Sequence, residues 1–377
     1  TLRSFSWPAS AIVFIWSFTE LGTPLMFDYQ QVTPVQIFNG IKEMEGSTQP
    51  YALTAVLLIV AAGIYLIGKV FLGGRASTMY AKASIRSVPR KLGKGGSIAA
   101  IALFSGVTFA AMLPHISVVL ASLSVEGAWY DSIVPTQWTG HNYETALSHP
   151  LASGSIRNSL AYSSIAIGID LIAGLAIGYL IVRVKVRGRG LVDALAMLPL
   201  AVPGLVMAFG YVAMTLRWPF GKDDPLEGFI SVVGANPNPM LLLVIAYAVR
   251  WLPYIVRSTV AGLEQTSGEL EEAALNLGAS RTRAIRTVVI PLITANLIAG
   301  GLLAFSFAML EVSDSLILAQ RESDYPITKA IYVLFERLGD GPGIASAMGV
   351  WAMALLAVTL VGASALMGRK MGAIFRV

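Results

Sequence analysis

The chain has 377 residues, of which 55% are hydrophobic and only 13% charged, and its mean hydropathy is +0.68. A soluble domain carries roughly a quarter charged residues, whereas the apolar runs here are about 20 residues long and match a bilayer core near 30 Å thick, which excludes a soluble fold and the short alternating segments of a membrane β-barrel. The formal charge of +5 comes from bases in loops beside apolar runs and is no nucleic-acid footprint, and the lack of cysteine excludes disulfides, thiol catalysis and Cys-metal centres.

The expected fold is therefore an all-α membrane protein. Eight spans are predicted, at about 9–27, 51–72, 97–122, 159–182, 191–215, 240–258, 288–318 and 343–367. The first runs through Phe14, carries Glu20 within its apolar run and reaches Leu25; Pro34 follows, and the second ends at Gly68-Lys69. From Lys69 to Lys94 come seven bases and no acid (Lys69, Arg75, Lys82, Arg86, Arg90, Lys91, Lys94), a basic linker centred on 76–96. Gly93-Lys94-Gly95-Gly96-Ser97 within it lacks the spacing of a nucleotide phosphate loop. An aromatic loop with Trp129, Tyr130, Trp138 and Tyr143 follows the third span and suits the headgroup level. Arg183, Lys185, Arg187 and Arg189 follow the fourth. Pro199, Pro203, Gly204 and Gly210 predict a bent fifth span. Arg250-Trp251-Leu252-Pro253 in the sixth reads as a salt-bridge site at a proline bend.

Basic loops alternate with loops carrying Glu126, Asp131 and Glu144, then Asp223, Asp224 and Glu227, then Glu322, Asp324, Glu336 and Asp340. The basic set, which includes Arg281, Arg283, Arg286, Arg369, Lys370 and Arg376, is expected to face the cytoplasm, as are both ends of the chain. The three histidines, His115, His141 and His149, have no second ligand at metal spacing, so no metal centre is expected.

One segment is unlike a connecting turn. From Arg257 to Arg286 the chain leaves the bilayer in a charged, helix-forming stretch. Thr266-Ser267-Gly268-Glu269 has the form of a capping box. Leu270, Ala273, Ala274 and Leu277 fall on one face, with Glu271, Glu272 and Asn276 off it. Gly278 suits the left-handed position past a helix end, and Ser280 can cap the next helix. A short helix with small residues on its apolar face can seat in a groove of a soluble partner.

Glu271-Glu272-Ala273-Ala274, then Leu277-Gly278, then Val288-Val289-Ile290-Pro291, closely resembles the EAA loop of ABC importer permeases. The resemblance implies that 259–287 docks a cytoplasmic ABC ATPase dimer through Glu271, Glu272, Ala273, Ala274, Leu277, Gly278 and Pro291. It implies no catalytic residue in this chain and no cofactor of its own; ATP and Mg would be bound by the partner ATPase. It also implies a solute delivered by an extracytoplasmic binding protein, and a place in the inner (cytoplasmic) membrane. Asn158-Ser159-Leu160 and Leu252-Pro253-Tyr254 look like the fused two-half branch that handles ferric iron, thiamine, spermidine and other polyamines, or phosphonate, with ferric iron the first choice.

Residues 11–72 and 302–367 share an order of features: an apolar run with an embedded acid (Glu20, Glu311), a proline (Pro34, Pro326), a polar stretch, and a last span ending in Gly and a base. The expected organisation is thus a complete six-span permease domain at 97–377, preceded over 1–75 by the last two spans of a homologous half. Aligning Glu20 with Glu311 sets Thr1 just past the end of an earlier EAA loop. Charges buried in lipid are expensive, so Asp170, Arg250, Glu311 and Asp314 are expected to face a cavity, a partner or the interface. Glu20, Glu311 and Asp314 are candidates for a translocation path. The rival class is an ion-coupled secondary transporter or channel with these acids as ion sites, which leaves the EAA segment without a purpose.

Overall fold

A computed structural model describes residues 13–43, 47–72 and 92–374, apart from 130, 185, 235 and 338. Most of the predicted basic linker, Tyr130, Lys185 and the start of the first predicted span lie outside the described residues. Regular structure among them is helical, with two isolated bridges, Ser124 to Trp138 and Ser231 to Asn238. In chain order the helices are α1 (13–18), α2 (Gly22–Met26), α3 (Thr33–Asn39), α4 (Gln49–Leu72), α5 (Lys94–Ser122), α6 (His141–Ser148), α7 (Pro150–Arg183) and α8 (Arg189–Ala201). They continue with α9 (Gly204–Thr215), α10 (Met240–Glu264), α11 (Glu269–Asn276), α12 (Arg281–Met309), α13 (Ser313–Leu318), α14 (Ile327–Phe335) and α15 (Gly341–Ile374).

Five of these, α5, α7, α10, α12 and α15, are long and apolar enough to cross a bilayer, and α8 with α9 makes a sixth if the bent pair is one span. The eight predicted stretches are all helical in the described residues, but three are interrupted. The first breaks after residue 18, at Glu20. The fifth turns by 99° between α8 and α9, where Val202 and Pro203 are extended and Pro203 cannot donate the hydrogen bond that would continue α8. The seventh breaks between Met309 and Ser313.

The described residues form two compact units. One comprises 13–18, 59–72, 92–149 and 331–350. In it, Asn142 on α6 donates to the carbonyls of Ser122 and Ser124 at 3.0 Å each, which satisfies the orphan carbonyls at the end of α5 and ties down the aromatic loop. Tyr143 adds a hydroxyl contact to Ser122 at 2.7 Å.

The other unit comprises 19–43, 47–58, 150–330 and 351–374. Its centre is α10, packed on α7 and α12. The buried face of α10 carries Leu242, Leu243, Tyr247, Ile255, Val256 and Leu263. Small residues set the closeness of the α7 contact. Gly174 and Gly178 lie one turn apart, and a Cβ on either would stand 2.6 Å from Ile255 or Thr259. Helices in lipid gain little from hiding apolar surface from each other, so close backbone approach of this kind supplies the packing energy.

Gly174→Leu is therefore expected to force α7 and α10 apart, at a cost of about 1–3 kcal/mol for overpacking or more. A thermal melt of the purified protein in detergent, followed by size-exclusion chromatography, should show a lower midpoint. Gly168→Leu, on the same helix with open space around it, should melt as the parent does.

Candidate functional site

The segment expected to meet a partner is built from the end of α10, α11 and the start of α12. Its N-terminal side departs from the expected capping box. Thr266 Oγ1 donates to the Leu263 carbonyl at 3.1 Å and so closes α10, while Ser267 Oγ accepts from the Glu269 amide at 3.2 Å. Gly268 occupies the cap position of α11. The other end follows the sequence. Gly278 has φ +87°, the Gly278 amide donates to Leu275 and the Ala279 amide to Ala274, both at 3.0 Å. These two bonds are the Schellman pattern. Ser280 then caps α12 by accepting from the Arg283 amide at 3.3 Å. A π turn follows at Ile285–Val289, immediately ahead of exposed Pro291, which has no amide proton to close a regular turn.

α11 shows two sides. Leu270, Glu272, Ala273, Asn276, Leu277 and Gly278 are exposed, Leu277 at 89%. Ala274 and Leu275 are half-buried and Glu271 is buried. The predicted apolar face thus stands free at Leu270, Ala273 and Leu277, while Ala274 belongs to the packed side. Glu271, predicted beside Glu272 on the partner-facing side, is turned into the chain. Successive helical residues differ by about 100° in direction, and Glu271 falls in line with 274 and 275. Tyr179 Oη donates to Glu271 Oε1, and Arg183 Nε lies 3.8 Å from Glu271 Oε2. Arg183 Nη2 also donates to the Leu263 and Thr266 carbonyls at 3.1 and 2.8 Å.

The second constellation surrounds Arg250 on α10. Its Nε is 3.0 Å from Glu311 Oε2, and Glu311 is 4% exposed. The guanidinium lies flat on Gly204, the first residue of α9, where a Cβ would stand 2.5 Å from Cζ. Arg250 therefore touches both the α8–α9 elbow and the α12–α13 break. Asp314, one turn beyond Glu311, is fully buried, within electrostatic reach of Arg250 and Glu311, and among the described residues neither of its carboxylate oxygens has a hydrogen-bond partner. Side chains bond backbone groups at the break and along the segment that follows it. The Glu311 carbonyl accepts from Ser315 and Thr328 hydroxyls at 2.6 Å each, and Ser315 meets the Tyr247 hydroxyl at 2.6 Å. Lys329 Nζ donates to the Leu316 carbonyl at 2.9 Å. Asn158 donates to the carbonyls of Ser323 and Tyr325 at 2.8 and 3.2 Å, and Ser159 accepts from the Ile327 amide at 2.8 Å.

Arg250 is thus the salt-bridge site that its sequence context predicted. Glu311 and Asp314, candidates for an open path, lie in this structure in a buried cluster around that cation, because an unpaired guanidinium could not stay there. Glu20 differs: it is exposed, and its Oε1 accepts from the Gly22 amide at 3.0 Å across the break between α1 and α2. A Cβ on Gly22 would stand 3.3 Å from Val312, so the break after Glu20 lies against the break that follows Glu311. Asp170 is buried within α7, 1% exposed.

Three features escaped the sequence reading. The Gly174–Gly178 pair has the spacing of a helix-packing motif and was legible. Tyr179 and Arg183 stand four residues apart, on one helix face, but Arg183 counted only as a loop base. The dependence of Arg250 on Gly204 joins residues distant in sequence and left no local signal.

A family model described as "Binding-protein-dependent transport system inner membrane component" matches residues 170–371. The chain is 28% identical over 320 residues to a putative ferric transport system permease protein, FbpB 1, of Haemophilus influenzae, covering 83% of this chain and 47% of that protein. It is 28% identical over 347 residues to the ferric transport system permease protein FbpB of Actinobacillus pleuropneumoniae, covering 90% of this chain and 47% of that one. The chain therefore spans about half the length of these curated relatives. Among solved structures it is similar in fold to a chain of a bacterial alginate ABC transporter in complex with an alginate pentasaccharide-bound periplasmic protein, with a TM-score of 0.53, 19% identity, and coverage of 73% of this chain and 94% of that one.

The Arg250 cluster predicts a non-additive pair. Glu311→Leu strands a buried guanidinium and should cost about 3–5 kcal/mol. Gly204→Ala displaces the same guanidinium from the other side and should also destabilise. The double variant should be no less stable than Glu311→Leu alone, because both lesions act on one side chain. Unfolding of the three variants in detergent would read this cycle; simple additivity would show that Gly204 and Glu311 act separately.

Proposed function

From the membership of this chain in the family of binding-protein-dependent transport system inner membrane components, we propose that it is the membrane-spanning part of an ATP-driven ABC importer, a multi-pass permease that is not itself an enzyme. The observation that carries the partner is the free face of α11. Leu270, Ala273 and Leu277 are exposed apolar side chains on a helix outside the spans, flanked by exposed Glu272 and ended by a glycine with positive φ. A cleft in a soluble subunit is the fitting cover for such a face, and acids at its edge suit a basic rim. That subunit is an ABC ATPase dimer on the cytoplasmic side of the inner membrane, and it binds the ATP and Mg.

The solute we propose is ferric iron, handed over by an extracytoplasmic binding protein. Support comes from the two relatives named as ferric transport permeases and, for the mode of delivery, from the alginate transporter solved with its periplasmic protein. Thiamine, a polyamine or a phosphonate would fit the same architecture. The organisation we propose is a six-span permease domain over 97–377 behind the end of a homologous half over 1–75. Support comes from the shared order of elements: a broken helix with an acid at the break (Glu20, Glu311), a short helix (α2, α13), a helix with proline at or just before its start (α3, α14), and a long final helix (α4, α15). Of the acids considered for the solute path, we retain Glu20, which is exposed at its break; Glu311 and Asp314 would join the path only if Arg250 released them. The secondary-transporter reading has less support, because those two acids already face a cation.

Two substitutions test the docking face in the full transporter. Gly278→Val forces a β-branched residue into a positive-φ turn, and Glu272→Lys reverses an edge charge. Both proteins should insert normally, since the lesions lie outside the spans. Recovery of the ATPase on the purified permease and uptake of radiolabelled ferric iron should fall together, for Glu272→Lys about tenfold, equivalent to about 1.4 kcal/mol. Normal recovery and uptake in both would sink the docking face. In sealed cells, a cysteine at Ser280 should resist an impermeant external maleimide.

A further inference from the structure

Two neighbouring acids of α11 have opposite surroundings, and only one has been given a partner outside the chain. Glu272 is exposed; Glu271 is 8% exposed and held from behind. What holds it is the last turn of α7. Tyr179 and Arg183 are four residues apart, so phenol and guanidinium project from one side of that turn. The phenol donates to Glu271 Oε1, and the guanidinium Nε stands 3.8 Å from Oε2.

The same guanidinium closes the corner on its other side. Nη2 donates to the Leu263 carbonyl, the Thr266 carbonyl and Thr266 Oγ1, at 3.1, 2.8 and 3.2 Å. Those groups are the last turn of α10 and the link that follows it. Gly268, which caps α11, lies so close that a Cβ would stand 3.2 Å from Arg183 Nη1. One side chain of α7 thus touches the end of α10, the four-residue link and the first turn of α11. Among the described residues the amides of Ser267 and Gly268 make no backbone hydrogen bond, so the second half of the link is held by side chains, Arg183 foremost.

We infer that Arg183, with Tyr179 and Glu271, is a positioning unit that fixes the angle at which α11 leaves α10, so that a force applied to α11 moves α10 and α7 together. Glu271 and Arg183 touch no partner in this scheme; they set the orientation of the face formed by Leu270, Ala273 and Leu277. The inference rests on the proposal that this face docks an ATPase, but its first readout is independent of that proposal.

The chain has no cysteine, so a single spin label at Asn276→Cys reports on α11 alone. In the purified permease in lipid nanodiscs without ATPase, the label is expected to be ordered in the parent and clearly more mobile in Arg183→Gln and in Glu271→Gln. Arg183→Lys, which keeps the charge and loses the fork of donors, should lie between them. In the full transporter, Glu271→Gln should retain the ATPase to within about twofold of the parent while ferric iron uptake falls roughly tenfold, since seating survives and transmission does not. Glu272→Lys should lose the ATPase itself. Unchanged label mobility in Arg183→Gln and Glu271→Gln would overturn the positioning unit, as would loss of the ATPase from Glu271→Gln to the extent seen for Glu272→Lys. Increased mobility with an ATPase that never co-purifies with the parent would instead count against the docking face and leave the corner intact.

Discussion

A guanidinium inside a membrane-spanning bundle must be solvated by protein, and the position of Arg250 shows how much structure that requirement can organise. Its charge is met by Glu311 at 3.0 Å, and its flat face rests on Gly204. Glu311 belongs to the gap between α12 and α13, and Gly204 begins α9 after the elbow at Val202 and Pro203. Irregular backbone at membrane depth is tolerated where neighbouring groups satisfy it. At the α12–α13 gap the hydroxyls of Ser315 and Thr328 do so at the Glu311 carbonyl, and the ammonium of Lys329 meets the Leu316 carbonyl in α13. The two interruptions are thus parts of one polar assembly built around a single cation. An intact helix at either place would remove the side-chain approach that the cation needs.

The sequence was a good guide to what period and composition control. Apolar runs located the five helices long enough to cross a bilayer and the bent α8–α9 pair, because 20 apolar residues have few other uses. Glycine and serine in the EAA segment marked the left-handed turn at Gly278 and the cap at Ser280, since those roles depend on local backbone chemistry. It was a poorer guide where a side chain had two uses. Thr266 and Glu269 had the spacing of a capping box, but Thr266 bonds backward to α10 and forward to Arg183. Glu271 and Glu272 are the same residue type in the same turn, and only packing against Tyr179 and Arg183 separates their roles. Spans also hid their breaks. Glu20 and Glu311 were visible as charges in apolar runs, yet nothing local said that the helix stops at them.

Membership in the importer family and the proposed ATPase contact place the two constellations in one scheme. α11 presents an apolar face and is backed by the first turns of α12 and by the corner at Arg183. The Arg250 cluster lies on the preceding helix. Both are reached from α10, and the contact of α10 with α7 is set by Gly174 and Gly178, whose missing side chains let backbones approach. The proposed half repeat adds a counterpart in the Glu20 break, which lies against Val312 of the other break.

The spacing along α10 has a mechanical meaning. Ile255, seated on Gly174, falls between Arg250 at one end of a lever and Glu264 at the other. At 1.5 Å per residue the arms are roughly 7 and 14 Å, so a tilt of the joined α7–α10 pair by about 10° about the level of Ile255 would swing Glu264 by about 2 Å and Arg250 by about 1 Å in the opposite sense. The two glycine seats, Gly174 under Ile255 and Gly178 under Thr259, keep the pair together as it tilts, because a helix seated at two points one turn apart cannot rock on its neighbour. A movement at α11 would then arrive at Arg250 halved in distance and, for the same work, doubled in force, a gearing suited to parting a guanidinium from a carboxylate over a short stroke.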